Sequence, residues 1–232
     1  MIIIKLHDEE EVINKLSSYV EKISYDAIAK RGAFYIGLSG GSLISYLSRA
    51  LPQIETEWPK WTLAFCDERV VPEDSEDSTF GAYKRQLLPN TKLQAEQFIA
   101  ITQELSAEAT AIDYTEKLRK AFKTEDFQFD LLLLGMGPDG HTCSLFPGHP
   151  LLDEVSLKVA AITDSPKPPP ERITLTYPVI NNARNCLFAI SGAGKADIVK
   201  RIIMDKEDLP AGRVKPKGSL FWILDEAAAA HL

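Results

Sequence analysis

The chain has 232 residues, 45% of them hydrophobic and 25% charged, with a formal charge of -7. That mix excludes a disordered, collagen-like or coiled-coil chain, and the acidic balance supplies no global positive field for nucleic acid or an anionic membrane. An anionic ligand would need a local cationic pocket, and a chain of this length buries roughly 70% of its unfolded surface without disulfide support.

The apolar start Met1–Lys5 is too short for a signal peptide, and no stretch of about 18 uncharged apolar residues occurs. A cytoplasmic protein is expected. Cys66, Cys143 and Cys186 are odd in number, far apart and form no C-x-x-C; they are expected as buried thiols, with no disulfide framework and no metal site.

Asp8 with Glu11 three residues on reads as a helix cap, and Ile13, Leu16, Val20, Ile23 and Ala27 recur at helical steps up to Gly32. Ala33–Leu38 is a strand closed by Ser39-Gly-Gly-Ser42, and Leu43, Ile44 and Leu47 open the next helix. Trp61–Cys66 is a strand, Asp67–Thr79 an acidic loop, and Phe80–Leu88 a helix ended by Pro89. Phe98–Ile101 reads as a short strand, Ser106 as the cap of a helix with Ala111, Tyr114, Leu118 and Phe122 inward, and Phe129–Leu134 as a strand buried on both faces. Gly135–Pro150, rich in Gly and Pro, is a long structured loop. Lys158–Thr163 and Arg172–Thr176 are strands flanking the stiff Pro166-Lys-Pro-Pro-Pro170. Asn185–Ile190 is a strand, Gly194–Met204 a helix and Ser219–Leu224 the last strand, with Asp225 capping an Ala-rich helix. The alternation predicts one α/β domain over residues 1–232, a mostly parallel, Rossmann-like twisted sheet with helices on both faces.

In open α/β sheets ligands bind beyond the carboxyl ends of the strands, so four turns carry the candidate chemistry. Ser39, Gly40, Gly41 and Ser42 form a glycine turn at a helix start, suited to a phosphate, although two glycines could simply make a tight turn. Asp67 and Arg69 follow a buried strand, where a guanidinium can grip a phosphate as a fork; the plain alternative is a solvated loop. Residues 135–140 match G-x-G-x-x-G, but Asp139 would oppose a pyrophosphate, and Pro147 and Pro150 oppose the long helix that a dinucleotide site needs. His141 in that loop, with Asp139 beside it, is better suited to general base work. Lys195, in Ile190-Ser-Gly-Ala-Gly-Lys195, could meet a phosphate as a point charge, although the turn lacks the first glycine and the Ser/Thr of a P-loop. Arg172 is a supporting cation.

Together, Leu-Ser-Gly-Gly-Ser (38–42), Phe-Cys-Asp-Glu-Arg (65–69), Ser-Thr-Phe-Gly (78–81), Gly-Pro-Asp-Gly-His-Thr-Cys-Ser-Leu-Phe-Pro (137–147), Pro-Lys-Pro-Pro-Pro-Glu-Arg-Ile-Thr-Leu-Thr (166–176) and the glycine-lysine turn at 192–195 resemble the 6-phosphogluconolactonase family nearly end to end. The strand at Trp61 and the closing Trp222-Ile-Leu-Asp-Glu-Ala-Ala resemble its animal form. The resemblance implies a fold shared with glucosamine-6-phosphate deaminases, no metal or cofactor, and hydrolysis of 6-phospho-D-glucono-1,5-lactone in the pentose phosphate pathway; a monomer is expected, although the sequence does not reveal the oligomeric state. It implies His141 as the catalytic histidine, with Asp67 or Asp139 orienting it or the sugar hydroxyls. The phosphate would lie on the Ser39–Ser42 amides, Arg69 and Lys195, with Arg172 supporting. A deaminase or isomerase of the same superfamily is the alternative. Such enzymes resemble a histidine run bearing a Glu, whereas Thr142–Pro147 has no acid. A non-catalytic sugar-phosphate sensor would need an attached DNA-binding module, and none is visible. The charge is also lopsided: residues 66–79 hold six acids and one base, residues 195–217 seven bases and four acids.

Overall fold

The computed structural model describes residues 1–232. In chain order the elements are β1 (Ile2–Leu6), α1 (Glu9–Arg31), β2 (Phe34–Leu38), α2 (Ser42–Ala50), β3 (Trp61–Phe65), β4 (Asp67–Arg69), α3 (Thr79–Gln86), β5 (Phe98–Ile99) and α4 (Ala107–Phe122). There follow β6 (Leu131–Leu134), β7 (Val159–Ile162), β8 (Arg172–Leu175), α5 (Tyr177–Ile180), β9 (Asn185–Ile190), α6 (Ala196–Ile203) and β10 (Ser219–Asp225).

Local chemistry accounts for the helix ends. The Asp8 carboxylate accepts from Glu11 N–H, and Gly32 closes α1 at φ 77°, a left-handed conformation that costs glycine little. Ser78 and Ser106 cap α3 and α4 in the same way, accepting from Gly81 and Ala109 N–H. All four residues of β6 are fully buried, which is why its sequence shows no alternation. Burying each such leucine is worth about 1.5–3 kcal/mol.

Seven strands form a parallel sheet in the order β1-β10-β9-β6-β2-β3-β5. From β2 the chain steps outward through β3 to β5; from β6 it steps the other way through β9 to β10. Right-handed crossovers then place α1, α2 and α3 on one face and α4 and α6 on the other. The reversal falls between β2 and β6, which pair directly through Ile36–Leu131 and Gly37–Leu132. A crevice opens at such a switch point, beyond the carboxyl ends of the strands. One cluster of 66 buried hydrophobic residues spans the molecule.

Three local features differ from expectation. Ile2–Leu6, to which the sequence pattern assigns no element, is an edge strand on β10. Asp67–Arg69, expected as loop, is β4, in a second, antiparallel sheet of order β4-β8-β7. Three successive charges can form a strand here because Glu68, only 1% exposed, accepts backbone N–H from Arg69, Thr79 and Phe80. Burial raises its carboxyl above the usual range, and those three N–H donors oppose the rise. The Ala-rich C-terminus makes hydrogen-bonded turns on Asp225 instead of a helix. All three cysteines are free and buried, as expected. No helix is long and apolar enough to cross a membrane.

Candidate active site

A cleft of about 220 Å³ opens at the switch point, lined by the turns after β2, β3, β6 and β9. Ser39, Gly40, Gly41 and Ser42 form one wall. Gly41 sits at φ 69° and ψ -144° at the head of α2, and no side chain caps that helix. Its first-turn N–H groups are therefore open to an anion. The Ser39 hydroxyl is buried without a protein partner, while its carbonyl accepts from the Tyr83 hydroxyl at 2.8 Å.

Three cations face this wall. Arg69 donates from Nη1 to the Asp77 carbonyl at 3.0 Å, which ties the acidic loop back on β4; its Nε is buried and unpartnered. Arg172 holds the proline segment, donating from Nε to Pro169 O at 3.0 Å and from Nη2 to the Lys167 and Pro168 carbonyls, each at 2.9 Å. Its guanidinium stacks 5.8 Å from the centre of the Phe146 ring. Burial and the nearby Arg69 charge pull its proton affinity down. Lys195 Nζ donates to Met136 O at 2.6 Å, which draws the ammonium across to the β6 turn. Burial and the Lys167 charge lower its pKa, against the pull of Asp139. The Gly192 N–H on Asp225, 2.9 Å away, anchors the turn that carries Lys195.

The β6 loop supplies the titratable centre. Thr142 Oγ donates to Gly135 O at 2.8 Å, and Gly137 N–H donates to His141 O at 2.9 Å, folding the loop back on its strand. His141 Nδ1 then lies 2.5 Å from Asp139 Oδ1, and the ring packs on Phe146 with centroids 4.8 Å apart. A carboxylate at that distance requires a proton on Nδ1, which leaves the Nε2 lone pair free. Burial lowers the His141 pKa and Asp139 opposes it, while the Lys167 charge adds to the lowering. Burial likewise acts to raise Asp139, but His141 and Lys167 outweigh it and hold the carboxyl at about 2.

Asp67 lines the same cleft yet forms no hydrogen bond or ion pair with His141; its Oδ2 accepts the Ser144 hydroxyl at 2.8 Å. Of the two carboxylates left open by the sequence, Asp139 is the one on the imidazole. Lys167 was given no role by sequence reasoning. Its Nζ lies 3.1 Å from both Asp139 Oδ1 and His141 Nδ1, and the signal was a lone cation inside a stiff proline run. No group of three His, Cys, Asp or Glu side chains is arranged to hold a metal. Cys143, at φ 51°, borders the cleft; contact with Cys66 and burial push its thiol well above the usual range.

An open parallel sheet with a histidine–carboxylate pair and three cations gathered at its switch point defines an α/β protein whose cleft is cationic and carries a titratable pair. Residues 7–222 match the family model described as glucosamine-6-phosphate isomerases/6-phosphogluconolactonase. The human 6-phosphogluconolactonase is 53% identical over 211 residues, covering 87% of this chain and 82% of that protein. A probable 6-phosphogluconolactonase of Drosophila melanogaster is 45% identical over 228 residues, covering 97% of this chain and 92% of that one. Among solved structures, the Thermotoga maritima 6-phosphogluconolactonase superposes with a TM-score of 0.85 at 26% identity, covering 97% of this chain and 99% of its own. The chain belongs to the glucosamine-6-phosphate isomerase/6-phosphogluconolactonase family.

Proposed function

We propose that the chain hydrolyses 6-phospho-D-glucono-1,5-lactone to 6-phospho-D-gluconate, the second step of the oxidative pentose phosphate pathway, as a cytoplasmic monomer. The observation that carries this reading is the 2.5 Å His141–Asp139 contact in a cleft shared with Arg69, Arg172 and Lys195. The 6-phosphate lies on the Ser39–Ser42 amides, Arg69 and Lys195, with Arg172 supporting. His141 Nε2 takes a proton from water as its oxygen attacks C1. The resulting imidazolium is stabilised by Asp139 through Nδ1–H, and the same proton goes to the ring oxygen as the C1–O bond breaks. Asp67 is left to meet a sugar hydroxyl.

A coupled assay with fresh lactone, corrected for spontaneous hydrolysis, tests the reading. Turnover at the spontaneous rate would overturn it. Lys195→Ala is expected chiefly to raise KM with kcat little changed, because the ammonium contacts the phosphate equally in ground and transition states.

Lys167 sets the working pH in this scheme. His141 is a base only when neutral, so kcat/KM rises with pH through its pKa. The Lys167 charge lowers that pKa; Lys167→Met is therefore expected to move the acidic limb of the pH profile to higher pH, and Lys167→Arg to leave it nearly in place. A limb that does not move in the Met variant would show that the charge has no effect on His141.

A further inference from the structure

At the opposite end of the sheet, a second cleft of about 460 Å³ lies between α1 and the amino ends of β9 and β10. It is larger than the catalytic one and shares no residue with it. Five cations line it, Lys22, Lys30, Arg31, Arg184 and Lys217, against one acid, Asp26. In a chain of net charge -7 this is a local reversal of sign.

Two features separate it from an ordinary solvated face. Beneath it lies Asp130, 1% exposed, which pairs with Arg31 Nη2 at 2.7 Å and Arg184 Nε at 3.3 Å. One buried carboxylate thus orients two guanidiniums and leaves them a net positive charge. The floor is also stiff: Asn185 Nδ2 donates to Asp130 O at 3.0 Å, and Lys217 N–H and Ser219 N–H donate to the Ala183 and Arg184 carbonyls, each at 3.1 Å. Lys22, Lys30 and Lys217 make no ion pair. By contrast, in a cleft of about 420 Å³ near the end of α6, Arg213 is bound to Asp208 at 2.6 Å. One side of the basic cleft is aromatic, with Tyr19 packed on Phe221 at a centroid distance of 4.5 Å.

We propose that this cleft binds a nucleotide, its phosphates on the free lysines and the two arginines and its planar base against Tyr19 and Phe221. Forked guanidiniums and point-charge ammoniums suit phosphate oxygens, and an aromatic wall suits a base ring. The nucleotide takes no part in the lactone reaction, whose cleft is at the other end of the strands.

The test is calorimetric titration of the full chain with magnesium-free ATP at low salt, with 6-phospho-D-gluconate present to fill the catalytic cleft. One site is expected, weakened at least about tenfold in the Lys22→Ala/Lys217→Ala double variant as two charges facing phosphate are removed, and weakened as salt rises. That variant, altered only at exposed side chains, should keep its melting temperature and its lactone kcat/KM. Absence of heat at millimolar ATP would overturn the proposal, as would binding that the double variant does not weaken. Tripolyphosphate binding as tightly as ATP would overturn the base contact.

Discussion

Replacing His141 with alanine is expected to lower kcat for the lactone by about 10²–10⁴-fold, the range that a placed general base contributes, with little change in KM. In the proposed scheme the ring serves proton transfer rather than binding, with its Nδ1 committed to Asp139 and its face to Phe146. The cations in the cleft are untouched by the substitution, so substrate affinity should persist. Near-normal turnover above the spontaneous rate would remove His141 from the mechanism. Asp139→Asn is a sharper companion. An amide can donate to Nδ1 as readily as it accepts, so the wrong tautomer becomes populated and kcat falls. Asp139 opposes the lowering of the His141 pKa, so whatever activity survives should show its acidic limb at lower pH, opposite in sign to the Lys167→Met shift.

Gly137→Ala should cost nearly as much activity with no change at any titrating group. A Cβ on Gly137 would overlap the His141 ring and lie 2.6 Å from Asp139 Oδ1. The ring cannot retreat without losing Asp139 or pressing on Phe146. Loss of kcat with a melting temperature close to that of the parent protein would place the effect in the geometry of the pair. Full activity would mean the loop yields, and that the close packing of Gly137 on the imidazole has no catalytic value.

How far the sequence disclosed this molecule depended on the range of the interactions. Helix caps at Asp8 and Ser106 and the apolar runs at 33–38, 129–134 and 185–190 are local signals, and helices and strands stand at those places. The strand Asp67–Arg69 was illegible because its partner β8 lies about a hundred residues later, and because the burial of Glu68 depends on the N–H groups that α3 presents to it. The short start Ile2–Leu6 was likewise silent, since β10 alone makes it a strand. Most of the cleft residues stand in turns directly after buried strands, where the local pattern marks them. Which acid meets His141 is not so marked, because it depends on the curl of the loop at Gly137 and Gly140. Lys167 was hidden for a similar reason: Arg172 bends the proline run so that its one lysine reaches Asp139.

The pairing of β1 with β10 has a consequence for synthesis. Of the strands of this sheet, the one made earliest has the one made latest as its only partner, and Lys5 Nζ even donates to Leu232 O at 2.8 Å. Ile2–Leu6 must therefore wait as an unpaired apolar segment while some two hundred residues are made, a non-local closure that slows folding and exposes an aggregation-prone edge. A chain ending before Ser219 would lose two strands rather than one, and would leave β9 as a bare edge beside the turn that carries Lys195.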